Sequence, residues 1–336
     1  MKRLLWFLAL LPAAALAAGT VDIYWIDVEG GASTLIVTPA GQSVLMDAGY
    51  AGLNGRDAQR IERVVKQQAK LTRIDYFLTS HFHGDHVGGL AALAERIEIG
   101  RFVDHGDSVE KDSEAGKALW ESYRKLAGGR RQTVEPGDRL PLEGVELLIV
   151  AAHSRFLPAP LPGGGPNPLC KDFEKKPEDR GENGKSLGYL FRSGKFEFVN
   201  LGDLSWNYQY QMACPVNLLG KIDLFQATHH GTRDDVVPQQ MWALDPAVTV
   251  MNNGPTKGAG PEAVETVLNS PGLEDLWQLH RAVNNDREHN ADEQLTANLG
   301  DIEGCEGNFI HARVAADGSY TVTNSRNGYA KTYEAK

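Results

Sequence analysis

Short blocks of apolar residues punctuated by Gly and Pro dominate the first part of the chain. Residues 21–28, 33–38 and 43–47 are rich in β-branched and aromatic side chains, which predicts three successive strands joined by tight turns. From 56 to 71 the period changes. Ile61, Val64, Val65 and Gln68 fall at helical spacing among charged residues, so an amphipathic helix is expected there. Residues 74–79 read as a strand, 87–97 as a helix and 99–103 as another strand. Farther on, 145–151 and 187–192 are apolar enough for interior strands. Residues 196–200 form a shorter one ending at Gly202-Asp203, and 222–228 one ending at His229-His230-Gly231. Residues 261–268 and 272–280 supply a helix and a strand of a later layer. Residues 309–314 and 320–322, around Asp317-Gly318, predict a hairpin.

Strands alternating with helices in two successive halves predict a layered α/β architecture, helices outside two sheets. The stretch 157–184 breaks the pattern. It holds Pro158, Pro160, Pro162, Gly163, Gly164, Gly165, Pro166 and Pro168, then a charged run; so long a loop in a compact domain is usually functional or disordered. No repeat or linker divides the chain, so 19–336 is expected to be one domain with that loop and a C-terminal hairpin.

Residues 1–18 read as a signal peptide. Lys2 and Arg3 precede an apolar run over 4–11, then Pro12 and the small-residue stretch Ala13, Ala14, Ala15, Leu16, Ala17, Ala18, with cleavage expected after Ala17 or Ala18. The run is shorter than the ~18 residues a spanning helix needs, and no cysteine follows it to carry a lipid. A periplasmic or secreted location is therefore expected, with no membrane association after cleavage. Without Lys2 and Arg3, 32 basic side chains face 44 acidic ones, a net charge of −12. That balance works against sequence-independent binding to nucleic acid or anionic lipid, without excluding a local basic site, and the partner expected is a small-molecule or phosphoester substrate. Of the three cysteines, Cys170 and Cys214 flank the same central region and are the first choice for a disulfide; Cys305 is then free, although spacing alone does not fix the pairing.

The chemistry concentrates in His81-Phe82-His83-Gly84-Asp85-His86, at the end of the strand 74–79. Imidazoles at i and i+2 of an extended segment point to one side and grip one metal ion. Asp85 and His86 turn onto the start of the next helix, toward a second ion. Gly84 is expected to permit the change of direction, and the helix N-terminus favours the Asp85 carboxylate. A packing explanation for three histidines and an aspartate in six residues is poor. Asp203, ending FVNLGD, is placed to bridge two cations about 3.5–4 Å apart; alone it would be an ordinary turn aspartate. Of His229 and His230, His229 is expected to ligate the second metal, leaving the strand as His81 does; His230 then contacts substrate or caps the turn. His153, after VELLIVAA, is the completing ligand for the first metal, with strand-terminal His105 in reserve. His280, His289 and His311 read as ordinary.

The hexapeptide matches the HxHxDH signature of the metallo-β-lactamase superfamily, and Gly88-Gly89-Leu90 continues it. More widely the chain resembles the metallo-β-lactamase domain of bacterial competence proteins and its exported relatives. The resemblance runs through Asp27-Val28, Gly31, Thr34-Leu35-Ile36, Leu45-Met46-Asp47-Ala48-Gly49, Asn183, Ser186-Leu187, Leu201-Gly202-Asp203 and His229-His230-Gly231. It implies a four-layer αββα sandwich with a dinuclear, usually zinc, site between the sheets. His81, His83 and His153 would hold one metal, Asp85, His86 and His229 the other, with Asp203 bridging. Glu29-Gly30-Gly31-Ala32 stands where that subgroup carries glycine-glutamine-glycine-aspartate, which weighs against a shared nucleic-acid role. The GHTxG-like loop of glyoxalase-type members is absent around His153.

Two cations sharing a water bring its pKa toward neutrality and supply a hydroxide nucleophile. They also neutralise charge developing on the attacked group. Asp85 is expected to orient that water or take its proton, with His230 as its catalytic companion. The donors include no thiolate, so zinc comes first and manganese and iron remain compatible. Phosphoester or phosphodiester hydrolysis is the leading expectation. Lactone or β-lactam hydrolysis is the alternative on the same fold; a di-iron redox enzyme or a metal-dependent binding protein is the alternative of another class.

Overall fold

The computed structural model describes residues 19–233, 235–300 and 304–336, so the expected signal peptide lies outside the described residues. Strands β1 (Val21–Trp25), β2 (Thr34–Val37) and β3 (Ser43–Met46) form where the apolar blocks predict them, and their side chains are almost all buried. The next helix, α1 (Arg56–Arg63), continues through a π-helical turn at Val64–Gln68 and buries Ile61, Val64 and Val65. After β4 (Arg73–Leu78), the expected helix over 87–97 appears as two short pieces, α2 (Gly84–Val87) and α3 (Leu90–Ala94). Then come β5 (Glu98–Asp104), α4 (Glu114–Ala127) and β6 (Arg131–Thr133).

The second half runs through β7 (Glu146–Ala152), β8 (Arg155–Phe156), β9 (Gly165–Pro166), β10 (Gly188–Ser193), β11 (Phe196–Asn200), α5 (Trp206–Ala213), β12 (Val216–Asn217) and β13 (Leu224–Gln226). It continues with α6 (Pro238–Leu244), β14 (Val248–Met251), α7 (Pro261–Leu268), β15 (Asp275–His280) and β16 (Thr296–Asn298), and closes with β17 (Ile310–Val314), β18 (Tyr320–Asn324) and β19 (Ala330–Tyr333). The hairpin predicted near the end is β17–β18, extended by β19.

Two sheets result. One has the order β19-β18-β17-β1-β2-β3-β4-β5-β6, the other β16-β15-β14-β13-β11-β10-β7-β8. Their inner faces share one core, with Trp25, Phe191, Phe196, Phe198 and Trp277 fully buried in it. A second cluster packs α5, α6 and α7 on the outer face of the eight-stranded sheet, and a third packs α1, α3 and α4 on that of the nine-stranded sheet. The architecture is the expected four-layer αββα sandwich.

β3 to β6 run parallel, as do β11 and β13 to β16. The carboxyl ends of parallel strands gather at one edge, where open α/β sheets place their ligands. Asp47, the hexapeptide, Asp203, the 228–231 turn and the 252–260 loop all emerge there. The long 157–184 loop holds only β9 and a short turn at Asn183–Lys185 as regular structure. It is tied back by a Cys170–Cys214 disulfide with a Cα separation of 5.6 Å; Cys305 is free.

Candidate metal centre

At the end of β4, His81 and His83 turn their rings together: His81 Nε2 lies 3.0 Å from His83 Nδ1. Gly84 does not adopt a left-handed conformation and has open space around it, so the change of direction does not depend on it. The close approaches belong to other glycines. A Cβ on Gly88 would meet the Gly84 carbonyl at 2.1 Å, one on Gly89 the Ala48 carbonyl at 2.1 Å, and one on Gly31 the Asp85 carbonyl at 2.5 Å. These absent side chains let the start of α2 nest against the loops after β1 and β3, which presents Asp85 and His86 inward.

Four residues converge in the cleft. One donor atom each from Asp85, His86, Asp203 and His230 lies within 4.8 Å of the other three. His86 Nε2 is 3.1 Å from Asp203 Oδ2 and 3.3 Å from Asp85 Oδ2; His230 Nε2 is 3.3 Å and 3.4 Å from the same two oxygens. Asp203 Oδ2 also lies 3.9 Å from His81 Nε2, linking the tetrad to the His81–His83 pair.

Each imidazole is steered from behind. His86 Nδ1 is 2.8 Å from Asp47 Oδ2 and 3.0 Å from Ser80 Oγ, and Ser80 donates to Asp47. His230 Nδ1 lies 3.2 Å from the Asn252 carbonyl oxygen, which leaves Nε2 facing the tetrad. Such outer partners fix ring orientation and tautomer in metal sites.

Burial resists ionisation of Asp203, but the imidazoles of His230, His86 and His229 outweigh it and hold the carboxyl well below its usual range. Burial likewise opposes a charge on His86, yet Asp203, Asp85 and Asp47 raise its pKa well above the ordinary imidazole value. His81, buried and facing His86, is driven well below that value. One buried and one partly buried carboxylate thus draw positive charge toward one point. His230 Nε2 is fully buried there with no hydrogen-bond partner. An orphaned nitrogen beside two carboxylates is the donor set a divalent cation satisfies, so the residues fit such an ion.

Three sequence expectations are placed differently. The strand before the histidine pair ends at Gln226, and His229 and His230 sit in a left-handed turn with φ of 51° and 57°. Strand logic therefore does not decide between them: His230 enters the tetrad. His229 stands at its rim, Nδ1 2.6 Å from Asp235 Oδ2 and Nε2 3.5 Å from Asp203 Oδ2. His153, also left-handed with φ 51°, stacks beside His105 at 6.0 Å between ring centroids and stands outside the tetrad. His105 Nε2 lies 3.1 Å from Glu182 Oε2. His83 Nε2 faces Glu110, 3.4 Å away.

Sequence reading missed Asp47 and Ser80 as supports, and Lys257 altogether. The Lys257 ammonium bonds the Asp85 carboxylate and lies 3.3 Å from the Tyr50 hydroxyl. The long loop reaches the centre through Asn183, whose Nδ2 is 3.4 Å from His229 Nε2, and through Glu182, which accepts from the Phe82 backbone N–H at 2.9 Å.

The sequence model of the metallo-beta-lactamase superfamily matches residues 26–171. A UPF0173 metal-dependent hydrolase from Thermodesulfovibrio yellowstonii is 25% identical over 225 residues, 64% of this chain and 75% of that protein. Recombination protein 2 of Haemophilus influenzae is 23% identical over 239 residues, covering 71% of this chain but 25% of that protein. Among solved structures, the metallo-beta-lactamase fold protein YhfI from Bacillus subtilis aligns with a TM-score of 0.48 at 11% identity, over 87% of this chain and 99% of that one. The resemblance read from the hexapeptide, including its link to competence proteins, is borne out.

Proposed function

We propose, for a chain that carries the metallo-β-lactamase fold, hydrolysis of phosphoester or phosphodiester substrates outside the cytoplasm, at a centre for two divalent cations with zinc as first choice. One observation carries this reading: a single oxygen, Asp203 Oδ2, gathers imidazoles of both donor groups, 3.1 Å from His86 Nε2, 3.3 Å from His230 Nε2 and 3.9 Å from His81 Nε2. Asp85, His86 and His230 would hold one cation and His81 and His83 the other, with Asp203 shared. Bound divalent cations lower the pKa of water and neutralise charge on the ester oxygens.

The side chains supply the rest. Asp47 fixes the His86 ring so that Nε2 faces inward. His229 and His230 exchange the roles expected of them. His230 is the buried donor, whereas His229, partly open to solvent and tied to Asp235, offers Nε2 at the cleft to hand a proton to the departing oxygen. Asp85 stays a ligand and a water-orienting group. The Cys170–Cys214 disulfide supports an oxidising compartment such as the periplasm or the exterior.

The test is elemental analysis of the purified protein together with turnover of bis(p-nitrophenyl) phosphate and of a chromogenic cephalosporin. Phosphodiester cleavage that chelation abolishes and added zinc restores is the expected result. Cleavage of the cephalosporin alone would replace this reading with ring hydrolysis, and full metal content without turnover of either substrate would remove it.

A further inference from the structure

Lys257 lies in Gly254-Pro255-Thr256-Lys257-Gly258-Ala259-Gly260, a loop held to the centre by its backbone. Ala259 N donates to the His230 carbonyl at 3.0 Å and Gly260 N to the Gly231 carbonyl at 2.7 Å. Gly254 N closes the turn onto the Lys257 carbonyl at 2.8 Å. The fit leaves no room for side chains: a Cβ on Gly258, where φ is +78°, would meet the His230 carbonyl at 2.3 Å, and one on Gly254 would meet the Glu29 carbonyl at 2.6 Å. On the opposite wall, a Cβ on Gly30 would meet the Lys257 Cβ at 3.0 Å. Two loops from different sheets are thus pared to bare backbone where they press the lysine against the cleft.

The ammonium bonds Asp85 Oδ2, the oxygen that also faces His86 and His230. A divalent cation gathered by that same oxygen repels an ammonium at its side. The lysine then has to direct its charge past Asp85, toward the Tyr50 hydroxyl 3.3 Å away and toward solvent, to which 36% of its side chain is exposed. Its counter-charge must come from what enters the cleft. A phosphodiester has two non-bridging oxygens sharing one negative charge, so one can meet the cations while the other meets the ammonium. A neutral lactone or ester offers nothing to the second position.

We propose that Lys257, steadied by Tyr50, is the substrate-binding residue that takes an anionic oxygen of the substrate and selects phosphoesters over neutral esters. This rests on the phosphoester reading above, and the test separates the two. Metal-loaded wild type, Lys257→Met and Lys257→Arg are compared by elemental analysis, by calorimetric binding of inorganic phosphate, and by kcat and KM for bis(p-nitrophenyl) phosphate. A charge-assisted hydrogen bond sets the scale at about tenfold or more. We expect Lys257→Met to keep its metal, bind phosphate at least about tenfold more weakly and raise KM with little change in kcat, while Lys257→Arg recovers most of the loss. Phosphate affinity within twofold of wild type at full metal occupancy overturns the proposal. So does loss of metal in Lys257→Met, because the lysine would then be supporting the centre instead. Lys257-dependent phosphate binding without phosphoester turnover would uphold this site and sink the phosphoester-hydrolysis reading.

Discussion

Asp27 and Asp203 both sit in buried clusters of carboxylate and imidazole at the same edge of the sandwich, and the two clusters are completed differently. Around Asp27, His280 Nε2 lies 2.6 Å from one oxygen and Cys305 Sγ 3.5 Å from the other. By residue type this is also a metal-ligand group. Yet Arg60 reaches in from α1, 2.7 Å from Asp27 and 2.9 Å from Glu29, and the Glu29 N–H donates to Asp27 as well. Around Asp203, no guanidinium enters among the described residues: two carboxylates face imidazoles, Lys257 reaches Asp85, and the ring nitrogen His230 turns to them has no hydrogen-bond partner, whereas His280 turns its bonded Nε2 to Asp27 and leaves Nδ1 without one. The chain sets a buried guanidinium on the central carboxylate of one cluster, whereas at the other its half-exposed lysine reaches only Asp85 and leaves Asp203 to the imidazoles. A count of ligand-type residues does not separate a structural ion cluster from a metal site; a built-in cation on the central carboxylate does.

Removing that built-in cation should give the largest effect on stability. Arg60→Met takes the guanidinium from buried Asp27 while Glu29 keeps Arg56, and breaking a buried pair from one side costs about 3–5 kcal/mol. Urea unfolding should show that loss while metal content per folded chain stays at the wild-type value. A variant as stable as wild type, or one that gains a metal at Asp27, would erase the distinction drawn between the clusters.

Glu182 sharpens the comparison as a buried carboxylate satisfied mainly by hydrogen bonds. It accepts from Phe82 N, Ser108 Oγ and Val109 N, and lies 3.1 Å from His105 Nε2. Burial alone would raise its pKa, but the bond to His105 and these donors bring it down to about 2 from 4.5. Since the folded value is depressed, its stabilisation is present above the ordinary glutamate value and is lost as pH falls from there through about 2. A shift of this size corresponds to about 3 kcal/mol. The stability of wild type relative to Glu182→Gln should therefore shrink between pH 6 and pH 3. A pH-independent gap between the two would refute the assignment.

How much of this was legible beforehand follows from distance along the chain. Four of the residues at the centre are neighbours in one hexapeptide at a strand tip, where sequence spacing is spatial spacing, and the layered fold followed from strand and helix periodicity. Helix α4 escaped notice because its buried set, Trp120, Tyr123 and Ala127, is sparse within a charged stretch that includes Gly116. The choice between His229 and His230 turned on left-handed backbone, to which alternation along a strand does not apply. Lys257 was invisible because its role arises from backbone contacts to Gly30, Glu29 and His230, none of them local. Arg60 likewise read only as a helix-face charge, and nothing in the sequence tied it to Asp27.

Cys305 gives the smallest expected effect and the most direct check on the Asp27 cluster. Burial, together with the nearby Asp27 carboxylate, pushes its thiol up to about 11, so it stays protonated at neutral pH. A metal needs the thiolate, and Arg60 already satisfies the carboxylate that would otherwise share the ion. Cys305→Ser keeps a small group of similar shape, with a hydroxyl able to donate to either Asp27 Oδ2 or Asn298 Oδ1, the two oxygens the thiol now faces. Unfolding free energy should then move by no more than about 0.5 kcal/mol, within the range of substitutions that break no buried network. Zinc per chain should not change at all. If the serine variant instead drops one equivalent of metal, the thiol is a ligand, Arg60 is not the cation that completes this cluster, and the rule separating the two clusters fails at the site where it was drawn.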